Sequence, residues 1–457
     1  MKMQLGEIAT AVTAQNDTTA WHDIEVSSVA FDSRQVTNGA LFGPLEGERD
    51  GHEFIQSAKQ NGAVAALWQA DHGTVPSDFP VLVVDDPLTA LQALSKHYLL
   101  KINPKVVAIT GSNGKTTTKD MVAAVLSTQF NVTKTTDNFN NEIGVPVTIL
   151  AMEPNTEVLV VELGMDRPGQ LDFLSKLVSP DLAIITMIGE AHIEFLGTRD
   201  KITDAKMEIT HGLKADGTFI FDGDEPLLTE RAKAVTQRQV TFGRQATDDV
   251  YATNVVSTDT HTQFSTNQWP DQTVTVPMIG DYNINNALAA LSVAKLYRIT
   301  PNVAADAFKS LDLTKNRAEW VQGKAGERIL SDVYNSNPTA VKEVMAAFSK
   351  VATEGKRRVV LGDMLELGAQ SDALHAGLQT AFDSALIQDV YLVGPHMAAL
   401  YDVLQADYQP EALHLYNVDQ QGKLITDLQS VLTATDTLLI KGSHGIHLEN
   451  VLAALQK

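Results

Sequence analysis

The chain has 457 residues, 44% of them apolar and 20% charged, an ordinary globular composition with room for about three domains of ~150 residues each. A net charge of −21 with no strongly basic block argues against a nucleic-acid partner, and the lack of cysteine excludes disulfides, thiolate metal sites and cysteine nucleophiles. The stretch Met1–Ala20 lacks the apolar centre of a signal peptide and no run reaches transmembrane length, so a cytoplasmic protein without membrane insertion is expected.

Up to about Leu100, short strands mix with helices. Val26–Phe31 reads as a strand, followed by Asp32-Ser33-Arg34 and a glycine-rich passage from Gly39 to Gly51. His52–Gln60 reads as a helix, and Ala63–Trp68 and Val81–Val84 as strands. Asp86 followed by Pro87 is a helix start, and Leu88, Leu91, Leu94 and Leu99 run on one side toward a junction near Asn103-Pro104. The apolar run Val106–Ile109 then breaks at Gly111-Ser112-Asn113-Gly114 and enters Lys115-Thr116-Thr117, with a helical pattern behind it. Strand, glycine loop, Lys-Thr and helix make a phosphate-binding loop. Its amides close around phosphate oxygens, Lys115 supplies charge, and the Thr116 hydroxyl suits Mg²⁺. The loop is shorter than the general motif, which would place a glycine where Ile109 stands.

Strand and helix patterns go on alternating after the loop, with buried-type strands at Val158–Val161 and Leu182–Thr186. This predicts a parallel sheet with crossover helices, in which ligands bind beyond the carboxyl ends of the strands. Glu162 and His192 follow two such strand ends. Glu162 is a candidate Mg²⁺ ligand or a capping carboxylate, and His192 a candidate site residue or a loop histidine. In the predicted helix Arg199–Leu213, Lys206 completes the apolar stripe of Ile202, Ile209 and Leu213. A lysine there either snorkels to the surface or loses its proton, and a neutral amine near Mg²⁺ could take up CO₂ as a carbamate. Tyr251–Met278 alternates as an antiparallel excursion, and a helix begins near Asn283 and Asn286, suited to an adenine edge or to capping. Thr314-Lys315-Asn316 reads as a linker. Beyond it Arg317 and Asp332 could clamp a nucleotide or form an interdomain salt bridge. The last section repeats the alternation, with strands at Arg328–Tyr334, Arg357–Leu361, Val390–Val393 and Thr437–Ile440 and a helix start at Asn337-Pro338.

The expected fold is therefore α/β in three domains. Residues 1–103 form a small mixed α/β domain, 104–314 a central P-loop-type parallel-sheet ATPase domain, and 315–457 a C-terminal Rossmann-like domain.

TGSNGKTTTK, NFNNEIGVP, VELGMDRPGQ, IGEAHIEFLGT, NINNALAAL, NRAEW, YNSNP, LGDMLELG and KGSHG together resemble the successive motifs of the Mur ligases, across essentially the whole chain. YNSNP with LGDMLELG is similar to the branch that adds D-alanyl-D-alanine. The resemblance implies an ATP-dependent ligase joining D-alanyl-D-alanine to UDP-N-acetylmuramoyl-tripeptide through an acyl phosphate. It also implies two Mg²⁺ ions and a carbamylated Lys206. Lys115, Glu162, His192 and Lys206 would be the catalytic set, with Thr116, Glu162, His192 and the Lys206 carbamate toward metal. Gly111, Ser112, Asn113, Gly114, Lys115, Thr116, Thr117, Asn286, Arg317 and Asp332 would hold ATP. Ser33 and Arg34 would lie at the uridine end, Asn138, Asn141 and Glu142 near the sugar phosphate, and Asn335, Asn337, Lys441 and Ser443 toward the dipeptide. Departures from the family fall at Tyr282, at His444 and in the run Phe42–Glu46. Other readings are a Mur-type ligase of different acceptor, such as the third-residue-adding enzyme, a folate polyglutamylating relative, an ATP-hydrolysing regulatory protein, and a non-catalytic scaffold.

Overall fold

The computed structural model describes residues 1–311, 314 and 317–457. Lys315 and Asn316 of the linker lie outside the described residues; Thr314 is tied to the Asp120 carboxylate through its N–H (3.0 Å) and hydroxyl (2.9 Å).

Among the described residues the N-terminal unit holds an antiparallel pair, β1 (Met3–Gln4) with β2 (Glu25–Val26), and a parallel sheet. That sheet runs β3 (Ser28–Ala30), β4 (Ala40–Phe42), β5 (Ala63–Gln69), β6 (Val81–Val84). The expected strand Val26–Phe31 is thus divided. Ser27 gives its N–H to the Gly39 carbonyl, and the chain changes partner there from β1 to β4. The helix expected from His52 begins only at Ile55, because the Asp50 carboxylate accepts the His52 N–H (2.9 Å) and holds Gly51–Phe54 as a 3₁₀ turn. Pro87–Ile102 is helical as the sequence predicts. Asp86 caps it through the Thr89 N–H (2.7 Å), and it ends at Asn103 in the left-handed region. Leu91, Leu94 and Leu99 are buried, and the Tyr98 hydroxyl bonds the Met152 carbonyl (2.9 Å), fastening the first unit to the second.

The central sheet contains β7 (Lys105–Thr110), β8 (Val132–Lys134), β9 (Val158–Glu162), β10 (Leu182–Ile185), β11 (Thr218–Asp222), β12 (Arg238–Gly243), β13 (Val250–Ser257), β14 (Thr262–Thr266) and β15 (Val274–Val276). Its order is β15-β14-β13-β12-β11-β10-β7-β9-β8. Pairing is parallel from β8 to β13 and antiparallel from β13 to β15, the excursion expected from the sequence. The strand order reverses beside β7, so the loop after β7 and the ends of β9 and β10 open onto one crevice. The helix Lys115–Leu126 packs against the Ala-rich helix Tyr282–Leu296, whose small residues permit a close approach.

The C-terminal sheet runs β16 (Glu319–Gln322), β17 (Arg328–Asp332), β21 (Thr437–Lys441), β18 (Arg357–Gly362), β19 (Asp389–Val393), β20 (Leu413–Tyr416), parallel except for β16. The edge strands β16 and β20 were not legible in the sequence, since short half-exposed edges carry little apolar pattern. The expected helix Arg199–Leu213 is α-helical to Met207 and 3₁₀ over Glu208–Gly212. Ile202, Lys206, Ile209 and Leu213 are nevertheless all buried, as the stripe requires.

Candidate active site

The loop after β7 is shaped by two glycines. Gly111 has φ +152, and a Cβ there would lie 1.9 Å from Thr186 Oγ1; Gly114 has φ +78, and a Cβ there would lie 2.3 Å from Asn286 Oδ1. Only glycine lets the loop pass this close to its neighbours. Asn286 in turn accepts the Thr118 hydroxyl (3.1 Å) and donates to Asn283 Oδ1 (3.1 Å), so it braces the loop from the adjoining helix. Lys115 Nζ folds over the loop to the Gly111 carbonyl (2.9 Å). The Thr116 hydroxyl donates to Glu162 Oε2 (2.9 Å), and Asn140 donates to Glu162 Oε1 (2.8 Å), which places a buried carboxylate and a hydroxyl side by side at the switch point.

Two cavities flank this loop. A polar one is lined by Ser112–Thr116, Asn140–Glu142, Glu162, Asp166, His192, Tyr334, Asn335 and Glu366. The other, on the side of the helix Tyr282–Leu296, is lined by Asn113, Gly114, Thr117, Asp222, Asp224, Tyr282, Asn283, Asn285, Asn286, Asp332, Glu343 and Lys441. Arg317 belongs to both. Its Nη2 lies 3.3 Å from Thr116 Oγ1, and its guanidinium stacks 3.9 Å from the Tyr334 ring centre. Four buried polar atoms around this second cavity have no hydrogen-bond partner among the described residues: Asp224 Oδ1, Tyr282 Oη, Asn285 Oδ1 and Arg317 Nε. Buried polar groups are normally paired, so this grouping marks a place for a polar ligand.

Charge is held under tension here. Burial lowers the Lys115 ammonium pKa and Arg317 lowers it further, while Glu162 opposes the shift. Lys206 lies far below its ordinary range because of burial and the nearby Lys115 charge. Burial raises Asp222 to about 7, with Asp224 and Asp248 adding to it, and raises Glu343 to about 7 with help from Glu190.

The remaining residues expected from the sequence fall as follows. Asp332 and Lys441 are brought together (2.6 Å), and Lys441 also reaches the Asn335 carbonyl (2.8 Å). Asn337 caps its helix through the Ala340 N–H and exchanges two hydrogen bonds with Asn113 (2.7 and 3.2 Å), so its side chain serves the domain junction. Ser443 accepts the Leu365 N–H (2.9 Å) and lines neither cavity. Asn141 Oδ1 accepts the Gly144 N–H (2.8 Å) at the start of the helix Gly144–Leu150, at the rim of the polar cavity beside Glu142; Asn138 is exposed and lines neither cavity. Ser33 is buried, and Arg34 is exposed and paired with Asp32 (2.7 Å) in the N-terminal unit. An edge contact between Phe31 and Phe139 (6.3 Å) links that unit to the 138–142 loop. Sequence reasoning gave Asn140 no role beyond a polar loop and missed Asn285, Tyr334 and Glu366, each inside a motif already singled out, and Glu343, which lies in none.

The chain is similar to known proteins along most of its length. Residues 25–98 match the Mur ligase family catalytic domain, 109–294 the Mur ligase middle domain, and 316–444 the Mur ligase glutamate ligase domain. The UDP-N-acetylmuramoyl-tripeptide–D-alanyl-D-alanine ligase of Bacillus subtilis is 38% identical over 94% of this chain and 93% of its own. The chain belongs to the Mur ligase family. Among solved Mur ligases, MurF from Acinetobacter baumannii superposes with a TM-score of 0.85 at 27% identity, covering 99% of this chain and 98% of its own. MurF from Thermotoga maritima in complex with ADP gives 0.80 at 29% identity, covering 94% of this chain and 97% of its own.

Proposed function

We propose that this Mur ligase joins D-alanyl-D-alanine to UDP-N-acetylmuramoyl-tripeptide in the cytoplasm, using ATP. The observation that carries the reading is the switch-point pairing of the glycine loop with Glu162 between two polar cavities, in a chain alike from end to end to D-alanyl-D-alanine-adding relatives. Residues 104–314 would bind ATP, 1–103 the uridine end of the nucleotide sugar, and 315–457 would close over the nucleotide and receive the dipeptide.

A carboxylate is a poor electrophile at neutral pH. In the reaction the tripeptide carboxylate attacks the γ-phosphorus of ATP, ADP leaves, and the resulting acyl phosphate is attacked by the dipeptide amine, which loses a proton as phosphate departs. The residues supply placement and charge. Loop amides and Lys115 hold the phosphates, and Arg317 reaches the same point from the C-terminal unit. Thr116 and Glu162 form a pair of hard oxygen donors 2.9 Å apart, which fits Mg²⁺, with His192 and Lys206 as the further ligands proposed. The ion supplies neutralisation of phosphate charge. Lys206 would join the set as a carbamate: a buried amine whose ammonium is disfavoured reacts with CO₂ and releases a proton, replacing a neutral buried amine by an anion.

Phosphate release, measured with a panel of UDP-muramoyl peptides against a panel of amine donors, tests the reading. Turnover should require both the tripeptide nucleotide and D-alanyl-D-alanine. Indifference to either one removes the ligase assignment.

A further inference from the structure

The loop that follows β10 is gripped by the C-terminal unit at three places. Near its start, the Glu190 carboxylate accepts the N–H (3.2 Å) and hydroxyl (2.7 Å) of Thr339 in the first turn of the helix Pro338–Phe348. In its middle, His192 Nδ1 lies 2.5 Å from Glu366 Oε2, and the Glu194 N–H donates to the Glu366 carbonyl (3.0 Å). At its end, the Gln370 amide donates to the Gly197 carbonyl (3.3 Å). His192 (φ 64) and Glu366 (φ 60) are both non-glycine residues in the left-handed region, and they face each other across the domain junction. Such backbone persists where the surroundings over-determine it, and it clusters at functional sites. Both side chains line the polar cavity that also contains Lys115 and Glu162.

We propose that Glu366 is a positioning residue for His192, setting its tautomer from the opposite domain. An ionised carboxylate only accepts hydrogen bonds, so the ring must carry its proton on Nδ1 to face Glu366. In the neutral ring the lone pair then lies on Nε2, at the far side, where it suits a divalent cation. Glu366 follows β18 of the C-terminal sheet and His192 follows β10 of the central sheet. The acceptor nitrogen is therefore set only while the two units are together, which ties domain closure to completion of the metal-side donor set. That last link rests on the ligase reading; the tautomer assignment stands on geometry alone.

Ring-¹⁵N histidine labelling of the full chain tests the tautomer, with His192 assigned by its loss in His192→Gln and spectra recorded with and without a non-hydrolysable ATP analogue. Wild type should show Nδ1 protonated and Nε2 bare in at least the nucleotide-bound state. Glu366→Ala should lose this preference, and Glu366→Gln should keep it, because the amide oxygen still accepts. In the phosphate-release assay Glu366→Ala should lower kcat about 10–100-fold with little change in KM for ATP, while Glu366→Gln recovers most of the rate. The double variant with His192→Gln should be no slower than His192→Gln alone. Nε2 protonated in wild type under both conditions, a normal kcat in Glu366→Ala, or fully additive losses in the double variant would each overturn the proposal. If wild type itself shows no substrate-dependent phosphate release, the ligase reading falls while the spectra still decide the tautomer.

Discussion

In the N-terminal unit Asp50 sits between two imidazoles, His52 and His72, stacked with ring centres 3.9 Å apart; in the central crevice Lys115 and His192 line a polar cavity, with Lys206 buried near Lys115. The first cluster spends most of its hydrogen-bonding capacity internally, with His72 Nδ1 left without a partner among the described residues. His52 Nδ1 donates to Asp50 (2.9 Å), His52 Nε2 accepts the Gln69 N–H (3.2 Å), and His72 Nε2 contacts the other Asp50 oxygen (2.5 Å). Three ligand atoms lie close enough to hold a metal ion. A cation on His52 Nδ1, however, would force the ring proton onto Nε2, against the Gln69 N–H, and two donors would then face each other. That cluster is a tie between the 3₁₀ turn and β5. The second cluster sets two buried lysines, Lys115 and Lys206, against the Glu162 carboxylate, and the polar atoms named above have no partner among the described residues. Unspent electrostatic capacity, more than the mere presence of histidine and carboxylate, distinguishes a place built for a ligand.

The comparison breaks first at Lys115. Lys115→Ala should reduce ATP turnover on the order of 10³-fold in a phosphate-release assay, since the loop then lacks its point charge toward the transferring phosphoryl group. Lys206→Ala should cost on the order of 10²-fold, with partial recovery on adding short carboxylates or bicarbonate, and ¹³CO₂ should give a carbamate resonance in wild type that the variant lacks. Arg317→Lys should lower kcat about 10-fold, because a lysine keeps the charge but loses the stack on Tyr334 and the fork toward Thr116.

Two smaller effects sharpen the contrast through stability. Asp222 has its folded pKa raised from 3.8 to about 7, so the native state holds that proton more tightly than the unfolded chain, and stability declines as pH rises across this window. Asp222→Asn should therefore raise Tm by about 2–4 °C near pH 8 and leave it unchanged near pH 4, read by thermal denaturation. His72 has its pKa raised, first by the Asp50 hydrogen bond. Its contribution is present below the unfolded value and fades as pH climbs through the folded one. His72→Gln should thus lower Tm slightly, more at about pH 5.5 than at about pH 8.5, without affecting ATP turnover, and zinc should not raise the wild-type Tm. Equal losses at both pH values would detach His72 from Asp50.

What the linear chain determined by itself was whatever acts over a few residues. The apolar run of β7, the glycines of its loop, the Asp86-Pro87 helix start and the burial of Lys206 on the Ile202–Leu213 stripe all follow from periodicity and turn chemistry. Packing alone decided the rest. His192 meets Glu366 across 174 positions and Asn113 meets Asn337 across 224, while Arg317 stacks on Tyr334 only because β17 faces the glycine loop. Local pattern sets which face of a strand or helix is buried, but which polar groups end up opposite one another depends on how separate sheets dock. No short-range signal encodes that.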